Sequence, residues 1–220
     1  MGRQEQTEEV RRKVVAAAQR LFLDKGYAQT TLREISTAAG VSYGSIYHHF
    51  EDKDGIFREL ILDNFETAQE AADRQLTAKA DVYLRLGLKW ASLAQAISSD
   101  ARVAELLGVA YRSWKISESL IEVSTARHRD WLRAELPDWT ENQFLAATLA
   151  LSGTLSSMVD EKLNLDRLTP AERIGAVLSS ALPGFGADPR TTQRVIKQAL
   201  ELAPPTAATA LSKAKRAAGR

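Results

Sequence analysis

The chain has 220 residues, 29 Lys and Arg against 28 Asp and Glu, three His and no Cys. This excludes a disulfide framework, a thiolate metal site and a cysteine nucleophile, and His48, His49 and His128 are a poor set for a multi-histidine zinc site. With 45% hydrophobic and 26% charged residues the composition is that of an ordinary soluble globular protein; no apolar run approaches the roughly 20 residues of a membrane span, and the N-terminus has no apolar signal core, so a cytoplasmic protein is expected.

Taken in chain order, the elements read as helices throughout. The first helix, 8–25, is expected to start after Thr7, with Glu8 and Glu9 at the positive end of its dipole. Val10, Val14, Ala17, Ala18 and Leu21 form its buried face, and Gly26 suits the left-handed position past its end. Thr31-Leu32-Arg33-Glu34 is a capping box that opens a helix over 32–39. Gly40 ends it, and Ser42 caps a second short helix over 43–49 after the single residue Val41. Asp52 caps a longer helix over 53–77. Further helices are expected at 80–98, 100–115, 118–136, 141–163, 170–182 and 189–202. Thr140-x-x-Gln143, Thr169-Pro170-x-Glu172 and Asp188-Pro189 supply the start signals of the last three. The fold class is therefore all-α. The tail from Pro204 has four basic residues and no acidic one, and its small polar composition reads as disordered. It is either a solvated tail or an auxiliary phosphate-binding arm.

The two short helices joined through Ala39-Gly40-Val41-Ser42 form a candidate helix-turn-helix. Ala39 permits a close crossing, Gly40 the sharp reversal, and Val41 fills the angle between the helices. The second helix then presents polar and aromatic groups to a DNA major groove. The full string from Thr30-Thr31 through Ala39-Gly40-Val41-Ser42, Tyr47-His48-His49-Phe50 and Lys53 resembles the N-terminal domain of TetR-type transcriptional repressors. The resemblance covers about residues 7–60, roughly a quarter of the chain. It implies that helix 43–49 enters the major groove. Carried over by position, it exposes Ser42, Tyr43, Gly44, Ser45, Tyr47 and His48, turns Ile46 inward and packs Phe50 under the motif. Family members commonly place a basic residue where Tyr43 stands, and tyrosine lacks the bidentate guanine contact of arginine. Thr30, Thr31 and Arg33 are the expected phosphate contacts on the supporting helix, and Lys53 on the next. Residues 1–56 carry eight basic and eight acidic side chains. Recognition is thus expected from a few placed groups and not from bulk charge.

The resemblance also implies a C-terminal helical bundle that binds a small-molecule effector and dimerises. Phe65, Tyr83, Trp90, Tyr111, Trp114 and Trp131 are the candidate walls of an apolar or aromatic effector site. His128, Arg112 and Asn142 are its candidate polar anchors. Helix 141–163 carries a row of small residues, Ala146, Ala150, Gly153 and Ser157, where another helix can approach closely. Phe144, Leu151, Leu155 and Met158 form its opposite, core-facing stripe. With Ile174, Val177 and Leu178 of the following helix, the small row makes the candidate dimer interface.

The expected organisation is a DNA-binding domain over 1–52, an effector and dimerisation domain over 53–203, and a basic tail over 204–220. The expected function is a homodimeric, effector-released repressor of a palindromic double-stranded operator, with no cofactor, metal or membrane partner. Two other classes compete. A helical enzyme needs a catalytic constellation, and Asp81, Glu118, Glu122, His128 and Asp160 are scattered without a motif. A nonspecific architectural DNA-binding protein predicts no effector and no preferred site.

Overall fold

The computed structural model describes residues 3–76, 81–160 and 167–202, with the side chains of Arg3, Gln4 and 67–75 outside the description. Among these residues the fold is all-α: ten helices and no strand. In order they are α1 (Arg3–Lys25), α2 (Leu32–Ala39), α3 (Tyr43–His49), α4 (Lys53–Gln75), α5 (Val82–Ser99), α6 (Ala101–Arg112), α7 (Trp114–Leu132), α8 (Glu141–Met158), α9 (Pro170–Gly184) and α10 (Pro189–Leu202). Two compact units result, the first reaching Thr67 and the second beginning at Ala68, so the division falls within α4. The expected basic tail, 204–220, lies outside the described residues, as do 161–163 of the eighth helix and residue 77 of the fourth.

Local signals set most of the helix ends. The capping boxes at Thr31, Thr140 and Thr169 form in both directions: each threonine oxygen accepts from the backbone N–H three residues on, and the Glu or Gln side chain there accepts from the threonine N–H. Asp52 caps α4 by accepting from Gly55 N at 2.7 Å. Asp188 caps α10 by accepting from Arg190 N and Thr191 N at 2.8 and 3.1 Å. Gly26, with φ of 91°, occupies the left-handed region beyond α1. The expected start of α1 after Thr7 is corrected: the helix begins at Arg3 and takes Thr7 into its interior. Gln4, Glu5 and Gln6 are good helix formers, so no cap is needed to stop the helix at Thr7. α8 ends at Met158, with Val159 as its C-cap.

In the first unit, Val14, Ala17, Ala18 and Phe22 of α1 are buried with Ile35, Ile46, Ile56, Phe57, Leu60 and Ile61. Phe22 and Phe57 meet edge to face with centroids 5.4 Å apart, and Tyr27 packs on both. Such pairs add about 0.5–1.5 kcal/mol beyond the area they bury. In the second unit α5 is the central helix, packed against α6, α9 and α10, while α7 packs on α8 and α8 on α9. A β-carbon on Gly87 of α5 would stand 2.3 Å from Val195 Cγ1 on α10, so glycine is what permits this crossing.

Candidate nucleic-acid interface and interior of the helical unit

The reversal between α2 and α3 is built by three residues. Gly40 has φ of 66° and donates its N–H to the carbonyls of Ser36 and Thr37. Ser36, buried and unnoticed in the sequence, ties the turn from both sides: its carbonyl accepts from Val41 N at 3.2 Å and its hydroxyl donates to Val41 O at 2.8 Å. Ser42 then caps α3 by accepting from Ser45 N at 3.1 Å. Ile46 is buried, and Phe50 packs inward with the Arg11 guanidinium 5.2 Å from its ring centroid.

The outward side of α3 is an aromatic surface with little charge. Tyr43 and Tyr47 are 42% and 52% exposed, and their hydroxyls lie 3.2 Å apart. Their rings meet edge to face at 5.2 Å. The hydrogen bond with Tyr43 raises the Tyr47 phenol above its ordinary range. Ser42, Gly44 and His48 are exposed beside them, Ser45 is half-buried, and the His48 and His49 rings lie 5.1 Å apart. Burial and the neighbouring His48 lower the His49 pKa. A β-carbon on Gly44 would meet nothing within 4 Å among the described residues, so no packing among them requires glycine there.

The supporting residues divide. Thr31 and Arg33 are exposed, although the Thr31 hydroxyl is engaged with Glu34 Oε2 at 2.8 Å. The Lys25 ammonium and Thr31 together hold the Glu34 carboxyl down to about 2. Thr30 is corrected. It is buried, its hydroxyl donates to Gly26 O at 2.8 Å, and its N–H donates to Tyr27 O at 3.2 Å. With both donors used internally, Thr30 shapes the loop and has nothing left for a phosphate. Lys53 is revised for a similar reason: its ammonium donates to Tyr27 O at 2.8 Å and Thr30 O at 2.9 Å, and stands 4.1 Å from the Tyr27 ring. Its position in the first turn of α4, unfavourable for a cation, is explained by these carbonyls. Tyr27 and Asp54 form a further contact that sequence reasoning missed. Burial and this partner push the Tyr27 phenol upward.

The candidate effector residues fall in both units, and those of the second unit do not all line its interior. Phe65 is half-buried on α4 in the first unit, while the other five belong to the second. Trp114, at the start of α7, is 69% exposed, which removes it from any interior wall. Tyr111 is half-buried on α6, and burial raises its phenol. Trp90 and Trp131 are brought together by the buried Lys89, whose ammonium lies 4.5 Å from the first ring and 5.5 Å from the second. Tyr83 donates to Phe185 O at 3.2 Å. Of the three polar anchors, Arg112 and Asn142 are exposed and only His128 is interior. The His128 ring is 5.5 Å from Trp90 and 4.6 Å from Phe185. Lys89 and Phe185 were missed in the sequence, where Lys89 reads as one more residue of a helix and Phe185 as part of the connection between two helices.

The candidate interface residues also divide. Ala146, Ala150, Gly153 and Ser157 are exposed on α8, beside Leu145 and Leu149, while Phe144, Leu151 and Leu155 are buried on the opposite side. Ile174, Val177 and Leu178 are corrected: they are buried within their own chain and cannot meet a second one. Ala176, Ser179, Ser180 and Pro183 are among the exposed residues of α9. No helix among the described residues is long and apolar enough to cross a membrane, and no group of three or more His, Asp or Glu among them is placed to hold a metal ion.

Residues 14–60 match the family profile described as bacterial regulatory proteins, tetR family. The chain is 38% identical over 65 residues to the HTH-type transcriptional repressor Rv1474c of Mycobacterium tuberculosis, covering 30% of this chain and 35% of that one. It is 29% identical over 126 residues to the HTH-type transcriptional regulator TtgR of Pseudomonas putida, covering 56% and 59%. The matches thus span between about a third and three fifths of these relatives' length. In fold, the chain resembles the crystal structure of RolR in complex with resorcinol, with a TM-score of 0.69 and 19% identity over 89% of this chain and 97% of that one.

Proposed function

We propose, from the premise that the chain belongs through residues 14–60 to the tetR family of bacterial regulatory proteins, that it is a ligand-responsive transcriptional repressor and not an enzyme. It binds a palindromic double-stranded operator as a homodimer and is released by a small apolar or aromatic effector. Labour divides between residues 1–52 for DNA and 53–203 for effector and partner.

The observation that carries the reading is the α2–Gly40–α3 turn, with an α3 face left exposed by the other described residues. Tyr43 and Tyr47 spend exposed aromatic surface there, and Gly44 leaves a gap that no neighbour among the described residues explains. A groove-facing helix has a use for both: aromatic side chains contact thymine methyls and phosphates, and a missing side chain lets backbone approach the duplex. Ser42 at the N-terminus of α3 and Thr31 and Arg33 on α2 supply the polar contacts. The balance of eight basic and eight acidic side chains over residues 1–56 favours selective contacts over general attraction to phosphates. The buried aromatic cluster of the second unit, and the resorcinol named with RolR, support an aromatic effector.

Selection of bound sequences from a random duplex pool, followed by footprinting with the full chain, tests the proposal. The expected result is a palindrome whose half-sites lie about 34–36 Å apart or a multiple of that spacing. Binding without sequence preference at every salt concentration and with every ligand would overturn it in favour of an architectural protein.

A further inference from the structure

The second unit holds an imidazole whose protonation its neighbours dictate. His128 is fully buried on α7 at 0% exposure. Its Nδ1 lies 2.9 Å from Thr148 Oγ1 on α8. The Thr148 hydroxyl donates to the Phe144 carbonyl one turn back, at 2.9 Å. A hydroxyl has one proton to give and lone pairs to accept with, so Thr148 faces His128 as an acceptor. His128 must then carry its proton on Nδ1. Burial and the nearby Lys89 charge hold the ring neutral, its pKa well below the ordinary histidine value. In a neutral imidazole protonated at Nδ1, Nε2 is a bare lone pair. That atom is buried and has no hydrogen-bond partner among the described residues. Buried acceptors are rarely left in this state, because desolvation is costly when no donor replaces water. The surroundings are aromatic: Trp90 at 5.5 Å and Phe185 at 4.6 Å between centroids.

We propose that His128 Nε2 is the recognition atom of the effector site, and that the effector is a neutral planar molecule presenting an O–H or N–H donor to it, a phenol in its simplest form. The proposal rests on the effector-responsive reading above and narrows it. An ether, a ketone or a carboxylate brings only lone pairs to a lone pair. A pure hydrocarbon leaves Nε2 bare. A phenol satisfies the nitrogen and stacks its ring among the aromatic side chains. Thr148 acts as a positioning residue, since its bond to Phe144 fixes which nitrogen of His128 accepts.

The experiment uses the full chain with 15N-labelled histidine, titrated with phenol and separately with anisole, whose methyl ether cannot donate. The expected His128 signals are a protonated Nδ1 and an unprotonated Nε2 that moves upfield with phenol and not with anisole. Tryptophan fluorescence is expected to give phenol a Kd lower than that of anisole by about tenfold or more. His128→Phe keeps a ring in place and should bring the two affinities together. If that variant does not fold, the nitrogen shifts of the wild-type protein still decide. An Nε2 resonance unmoved by saturating phenol, or equal affinities for phenol and anisole, would overturn the proposal and leave water as the donor. Operator affinity measured alongside separates the two readings. Movement of Nε2 by phenol with operator binding unchanged supports the donor site and overturns its regulatory role. Operator release by other compounds that leave Nε2 unmoved keeps the repressor reading and overturns this site.

Discussion

Lys53 and Tyr47 illustrate how one residue's neighbours decide its role. Both are candidate DNA contacts from their place in the sequence. Lys53, however, spends two of its three N–H donors on the carbonyls of Tyr27 and Thr30, at 2.8 and 2.9 Å, and so joins the start of α4 to the loop after α1. The Tyr47 hydroxyl pairs with the exposed Tyr43 hydroxyl at 3.2 Å. Opposite consequences are expected. Lys53→Met removes two charge-assisted hydrogen bonds from a partly buried site and should cost about 2 kcal/mol of stability, read as a lower urea midpoint. Tyr47→Phe removes one exposed hydroxyl. Its urea midpoint should match the wild type while operator affinity falls about fivefold, the size of one lost hydrogen bond. If Lys53→Met unfolds at the wild-type midpoint yet loses operator affinity, the ammonium belongs to the DNA after all.

At the scale of elements, what could be read in advance follows the range of the interaction. The capping boxes at Thr31, Thr140 and Thr169 close over three residues, and each forms as the sequence alone indicates. Gly40 likewise answers a local need for a left-handed backbone. The stripe of Phe144, Leu151, Leu155 and Met158 is legible because helical periodicity is local too; the first three are buried and Met158, at the end of α8, is half-buried. The Ser36 tie to Val41, the capture of Lys53 by loop carbonyls and the Thr148–His128 pairing were not legible, since each depends on which surfaces the fold brings together. Ile174, Val177 and Leu178 show the same limit: periodicity identified an apolar face without saying whether its own chain or a second one covers it. Gly87 belongs with these. In sequence it only weakens a helix, whereas in the structure it is where α10 crosses α5, with Val195 Cγ1 2.3 Å from the position of a β-carbon. Gly87→Ala should therefore destabilise the protein by about 1–3 kcal/mol through overpacking. Adding Val195→Ala should recover part of that loss, a non-additivity expected of neighbours. Thermal unfolding of the two single variants and the double variant checks this, and strictly additive changes would show that the two helices adjust without conflict.

For the whole molecule, the proposed operator binding depends on there being two reading heads. One α3 helix offers two tyrosines and a few hydroxyls, and the unit around it has no surplus of positive charge. A second head adds effective concentration, which raises affinity by about 10² to 10⁴ when both half-sites are engaged. The exposed side of α8 is suited to hold the partner: Ala146, Ala150, Gly153 and Ser157 leave room for a close helix, and Leu145 and Leu149 remain 38% and 48% exposed beside them. The other side of α8 is already committed to its own core through Phe144, Leu151 and Leu155. Leu149→Glu consequently alters the outward face and leaves that core alone. Its charge can stay in water in a monomer, but would be buried unpaired against a second α8, which is strongly unfavourable. The expected outcome is a monomer by light scattering with wild-type helicity by circular dichroism, and an operator affinity lower by about 100-fold or more. On a single half-site, which one head reads alone, the variant should bind as the wild type does. A Leu149→Glu protein that remains dimeric at micromolar concentration would place the partner against another surface.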